Sequence, residues 1–139
     1  MSDQLRSKCK TLRLAHIAEI HHQIPFENLE QYLNDLFDEE FRLRDQTKSM
    51  RLIKKARFLD KKSLQTYEWT EQIRIPAHTS KDEICSLNFI ESGQNVVLVG
   101  SPGTGKTHLA TALGRKACEN GYEVRFYRVA HLVEELEQA

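Results

Sequence analysis

Asn95-Val-Val-Leu-Val-Gly-Ser-Pro-Gly-Thr-Gly-Lys-Thr-His108 joins an aliphatic run to a glycine-rich turn and then to the start of an amphipathic segment. Val96, Val97, Leu98 and Val99 predict a buried strand, and a helix is expected to open near Lys106. Between them, Gly100-x-x-x-x-Gly105-Lys106-Thr107 matches every defined position of the phosphate-binding loop, the Walker A pattern. Gly100, Gly103 and Gly105 permit backbone conformations that a Cβ would forbid, so successive N–H groups can converge on phosphate oxygens. In that chemistry Lys106 carries its ammonium to the β and γ phosphates, and the Thr107 hydroxyl becomes a ligand of Mg²⁺. The positive N-terminal end of the helix adds to both. The competing reading, an ordinary strand-to-helix turn, leaves the lysine and the three glycines without a common reason.

Outward from this loop, the 139 residues suit one domain or one small domain with part of another. Composition is that of a globular protein, and twenty basic residues balance twenty acidic ones, so net charge names no partner. The distribution is uneven. From Glu19 to Glu40 there are seven acidic residues and no Lys or Arg, whereas Arg42 to Lys62 holds nine basic residues against Asp45 and Asp60. Three scattered cysteines, Cys9, Cys85 and Cys118, fit neither a disulfide framework nor a metal cluster, and reduced cytoplasmic thiols are the simple expectation. No apolar run approaches membrane-spanning length.

Residues 4–22 carry apolar side chains near helical spacing, and a second helix is expected from Pro25, with Leu29, Leu33, Leu36, Phe37 and Phe41 as its buried stripe. That pattern continues towards Leu59, with a break expected near Thr47. Along it, Arg44, Lys48, Arg51, Lys55 and Lys62 are spaced by four, three, four and seven residues, which aligns them on one side of a helix. Such a row can neutralise the phosphates of DNA without reading sequence; it can equally be a solvated face or one paired with the acidic half. Ser80-Lys-Asp-Glu83 has the form of a capping box opening a short helix. Beyond the loop, Leu109, Ala112, Leu113 and Ala117 form a narrow stripe, Gly121 suits a helix end, Glu123 to Arg128 alternates as a strand, and a last helix from Ala130 is expected to bury Leu132, Val133 and Leu136.

These elements predict an α/β fold: a helical N-terminal region, residues 1–75, followed at 76–139 by the first βαβα part of a P-loop ATPase core. After Val99 no apolar run ends in two acids, so the acidic segment that hydrolysis needs has no candidate, and the chain reads as the front part of a longer protein.

The loop with its neighbours, Phe89-Ile-Glu-Ser-Gly-Gln-Asn-Val-Val-Leu-Val99 and Gly100 to Gly114, resembles the IstB-type ATP-binding helper proteins of insertion-sequence transposases. The Gly-Lys-Thr-His-Leu-Ala run is shared with the DnaC helicase loaders and more loosely with the DnaA initiators. The helical region from Leu12 to Leu59, with Phe26-Glu27 and the basic Arg51 to Arg57, and the Leu64 to Trp69 segment extend the resemblance over nearly the whole chain. It implies an AAA+ ATPase that oligomerises on DNA and assists its transposase. Gly100, Ser101, Pro102, Gly103, Thr104, Gly105, Lys106, Thr107 and His108 would then line the ATP site, with Thr107 on Mg²⁺. Two alternatives stay open: a replication helicase loader, and a non-catalytic module that binds DNA or a partner and carries a vestigial nucleotide loop.

Overall fold

The computed structural model describes residues 1–139, and its contacts divide the chain into two compact units, Met1–Lys48 and Ser49–Ala139.

In the first unit Ser2 caps α1 (Asp3–Thr11), accepting a hydrogen bond from the Leu5 N–H at 3.4 Å. The single helix expected over residues 4–22 is two, because Arg13 adopts a left-handed φ of 56° and redirects the chain into α2 (Ala15–Ile20). Leu14 offers α2 no side-chain cap. Glu40 supplies one from α3 (Leu29–Ala56), its carboxylate accepting from the Ile17 N–H at 3.0 Å. Cys9, Ile17 and Leu36 form the core, with Leu14, Ile20, Ile24 and Tyr32 packed around them.

Helix α3 starts at Leu29 rather than at Pro25, because Asn28 provides the cap: its Oδ1 accepts from Gln31 N at 2.9 Å. No break occurs at Thr47, whose hydroxyl bonds back to the Leu43 carbonyl at 2.9 Å within the helix. Of the stripe expected to be buried, only Leu36 is; Leu29, Leu33, Phe37 and Phe41 are exposed.

The second unit is built on α6 (Lys106–Glu119), whose Leu109, Leu113 and Ala117 pack with Leu87. Leu64, Tyr67 and Trp69 close over the same cluster from a segment that contains one 3-10 turn, Leu64–Thr66. On the other side of α6, Cys118 is buried with Leu52 and Ala56 from the end of α3, and Phe58 and Val124 join them. The Ser80 capping box forms as expected, with Glu83 N donating to Ser80 Oγ at 3.2 Å and Ser80 N to Glu83 Oε2 at 3.1 Å. It opens α4 (Lys81–Ser86), which Leu87, at a left-handed φ of 66°, separates from α5 (Asn88–Glu91). α7 (Val129–Gln138) closes the unit, and its Leu132, Val133 and Leu136 are exposed rather than buried.

The α/β expectation is overturned, because the structure contains helices and connecting segments and no strand. A strand exists only when a neighbour completes its hydrogen-bond ladder, and an apolar run supplies the side chains without supplying the partner. Nothing in the chain pairs with Val96–Val99; Leu98 is half-buried while Val97 and Val99 are 80% and 89% exposed. The alternating Glu123 to Arg128 run likewise forms no ladder. Phe126 N donates to the Ala56 carbonyl at 2.9 Å, fastening that segment to the end of α3 instead.

Candidate phosphate-binding site

Residues 100–105 form a tight turn that ends as the N-cap of α6. Gly103 and Gly105 hold φ values of 81° and 85°, a region that L side chains rarely adopt, which explains two of the three glycines. A Cβ on Gly103 would meet nothing within 4 Å, so its requirement is purely conformational. Gly105 has a second reason: a Cβ there would lie 3.3 Å from Cε2 of Tyr67. Gly100 sits where the turn closes, 3.0 Å from Thr104 Oγ1 as measured from its ideal Cβ position.

Lys106 is half-buried at the first position of α6, and its side chain folds back across the loop. The Nζ donates to the Gly100 and Ser101 carbonyls, both at 2.7 Å, and approaches Thr104 Oγ1 at 3.4 Å. Thr104 in turn donates its hydroxyl to the Ser101 carbonyl at 2.8 Å. The ammonium is thereby fixed at the mouth of the turn. α6 has no side-chain cap, so its positive N-terminal end is met by no side-chain acceptor at Gly105. Ser101, Pro102, Gly103, Thr104 and Thr107 are all exposed.

His108 is placed differently. Its Nε2 lies 3.2 Å from the Ser63 carbonyl and 3.4 Å from Thr66 Oγ1, and its ring meets Tyr67 edge-on at 5.2 Å between centroids. It therefore faces the 3-10 turn and not the glycine turn. Tyr67 also meets Trp69 edge-on at 5.0 Å, and the Lys81 ammonium lies over the Trp69 ring at 4.9 Å.

Beside the loop, a cleft of about 440 Å³ is lined by Trp69, Ile73, Ile75, Ile84, Phe89 and Leu109 among others, with Leu98 just before the glycine turn and Leu109 just after Lys106. Polar side chains, Arg74, Glu83 and Asn95 among them, share its walls, and its size and mixed lining suit a small organic group. No group of three or more His, Cys, Asp or Glu residues is disposed to hold a metal ion.

The basic row is distributed between the two units. Arg44 and Lys48 lie in the first, where Arg44 Nε pairs with the buried Glu40 at 2.7 Å and Arg44 also donates to the Arg13 carbonyl. Arg51, Lys55 and Lys62 lie in the second, where Lys55 pairs with Glu123 at 2.5 Å. Arg51 and Lys62 are exposed, and Lys62 falls beyond the end of α3. The acidic Glu39 pairs with Arg42 at 2.6 Å, so part of the charge asymmetry along the chain is resolved locally.

The sequence analysis passes over Glu40, and it singles out Leu64 to Trp69 without placing Tyr67 against Gly105 and His108. For Glu40 the signal was present, since it falls four residues after Leu36 and three before Leu43, on the apolar side of α3. For Tyr67 the segment has no period to read.

A glycine-rich turn thus leads into a helix without a side-chain cap, and a lysine ammonium is hydrogen-bonded to two carbonyls of that turn. The family model described as IstB-like ATP binding protein matches residues 7–139, and the chain belongs to that family. A candidate ATP-binding protein of insertion sequence IS21 from Pseudomonas aeruginosa is 36% identical over 112 residues, covering 81% of this chain and 42% of that protein. The corresponding protein of IS5376 from Geobacillus stearothermophilus is 28% identical over the whole chain and 57% of its own length. A third, of IS232 from Bacillus thuringiensis subsp. berliner, is 31% identical over 72% of this chain and 40% of its own. The chain spans about half the length of the curated relatives it matches. No helix is long and apolar enough to cross a membrane.

Proposed function

We propose that this chain binds ATP through residues 100–107, its phosphates seated on the glycine turn and the start of α6, as part of a transposition helper of an insertion sequence. The observation that carries the reading is the Lys106 ammonium, held 2.7 Å from two loop carbonyls at the mouth of a turn whose glycines take positive φ. Those carbonyls are neutral acceptors. A phosphate oxygen is a stronger partner for the ammonium, because it carries negative charge and adds Coulomb attraction that a neutral carbonyl lacks. Ligand arrival therefore draws Lys106 off the carbonyls and onto phosphate. The cleft that Leu98 and Leu109 share with Trp69, with its mixed apolar and polar walls, is the proposed seat of the base.

Thr107, exposed in the first turn of α6, offers one hydroxyl to Mg²⁺. That fits an ion which takes few protein ligands and completes its shell with phosphate and water. The family membership and the names of the relatives support ATP as the ligand.

The exposed Arg51 and Lys62 support a contact with DNA phosphates within the second unit. Lys55 joins them there, releasing Glu123 as it engages, and in the first unit Arg44 and Lys48 are proposed as a contact of their own, with Arg44 releasing Glu40. By the same resemblance we assign the transposase as protein partner, self-assembly on DNA, and a cytoplasmic setting in which the three free cysteines stay reduced.

Calorimetric titration with ATP and Mg²⁺ tests the nucleotide site. Lys106→Ala is expected to weaken binding by at least tenfold, and unchanged affinity would reject the cradle. For DNA, Arg51→Glu with Lys55→Glu is expected to lower affinity and flatten its salt dependence; a wild-type affinity indifferent to salt would remove the phosphate contacts.

A further inference from the structure

We propose that the Ser63–Trp69 segment is a clasp that sets the shape of the phosphate loop, with Tyr67 and His108 as positioning residues for nucleotide binding although neither faces the phosphates. This rests on the nucleotide reading of residues 100–107 and adds to it a structural control from an element forty residues away in sequence.

Three contacts carry the inference. The Tyr67 ring occupies the space beside Gly105, with Cε2 and Oη 3.3 and 3.7 Å from where a Cβ would stand. Gly105 is the N-cap of α6 and holds a φ of 85°, so the ring lies against the residue at which the loop turns into the helix. Three residues on, His108 fixes the same helical turn to the clasp. The Ser63 carbonyl can only accept, so His108 Nε2 carries the proton and donates at 3.2 Å. Thr66 Oγ1 already donates to that carbonyl at 3.1 Å and can accept from Nε2 at 3.4 Å, so the polar atoms of the junction are mutually consistent. Finally, Trp69 braces Tyr67 from behind at 5.0 Å and reaches on into the cleft.

A glycine pair at positive φ has many accessible alternatives when unsupported, and an anion site gains affinity when its N–H groups are already aimed. Contacts that hold Gly105 and the first turn of α6 therefore contribute to affinity without touching the ligand. The contacts of Tyr67 with Gly105, His108 and Trp69 are made chiefly by its ring, so the ring does this.

The test is titration of the full 139-residue chain with ATP and Mg²⁺, read by calorimetry and by emission of Trp69, the single tryptophan. Tyr67→Ala and His108→Leu are each expected to weaken ATP by about tenfold, equivalent to about 1.4 kcal/mol. Tyr67→Phe, which keeps the ring, and His108→Gln, which keeps a donor at the Nε2 position, are expected to stay within twofold of wild type. Far-UV circular dichroism establishes that each variant is folded, and if Tyr67→Ala is not, the His108 pair decides. Wild-type affinity in His108→Leu, with Lys106→Ala inactive, overturns the clasp and leaves the phosphate cradle standing. Equal losses in His108→Gln and His108→Leu also overturn it, since the donor would then be irrelevant. Unchanged binding in Lys106→Ala removes the cradle and the clasp together.

Discussion

Replacing Glu40 by alanine removes a carboxylate that is 1% exposed and ties two helices together in the first unit. Its Oε2 accepts from the Ile17 N–H at 3.0 Å, and its Oε1 from Arg44 Nε at 2.7 Å. Ile17 is itself buried in the first turn of α2, where no other group caps the helix. Leaving that N–H without a partner costs about 1–3 kcal/mol. The Arg44 side chain is 45% exposed and recovers water, so losing its ion pair adds at most about 1 kcal/mol. The sum is about 1–4 kcal/mol, which for a urea slope of about 2 kcal/mol per molar moves the unfolding midpoint by roughly 0.5–2 M. Glutamine at the same place keeps an acceptor for Ile17 and gives up the charge, so its loss is about half as large. The assay is urea unfolding at neutral pH followed by far-UV ellipticity, with amide hydrogen exchange at Ile17 as the local readout. A Glu40→Ala midpoint within about 0.3 M of wild type, or an unchanged Ile17 exchange rate, would refute the capping role.

Two further outcomes follow from titrating groups. Glu123 is held below the ordinary carboxylate range first by its hydrogen bond with the Lys55 ammonium and then by the charge of that group, and Glu39 likewise by Arg42. Stability from these pairs is present above the ordinary carboxylate pKa and lost as pH falls through the depressed folded values; Glu123→Gln should therefore shallow the acid limb of thermal midpoint against pH, and an identical limb would contradict this. Burial pushes the Cys118 thiol up, so in the native protein it should react with a disulfide reagent more slowly than the half-buried Cys85; equal rates at neutral pH would contradict its placement.

What could be read in advance was local chemistry. The Ser80 capping box and the helix opening at Lys106 each depend on residues within four positions of one another, and both formed as expected. What could not be read depended on distant partners. Val96–Val99 has a strand's composition, but composition does not supply the neighbouring ladder, and Val97 and Val99 stand exposed. The stripe from Leu29 to Phe41 has a helix's period, yet the packed face is set by Leu36 with the buried Glu40, a charge whose cost is met by Arg44 and by a backbone N–H from another helix. At the candidate site the spacing of Gly100, Gly105 and Lys106 announces a glycine turn running into a helix, and that local geometry is what the structure holds. His108 was grouped with them because it is adjacent in sequence; a helix turns through about 100° per residue, and its ring faces the Ser63 carbonyl instead.

The most direct measurement of the central claim is an amide correlation spectrum of the ¹⁵N-labelled chain titrated with ATP and Mg²⁺. The account predicts that the N–H resonances of Gly103, Gly105, Lys106 and Thr107 move together and saturate with one ligand, while Lys106→Ala loses that response. Loop resonances that stay fixed at saturating ATP would contradict it.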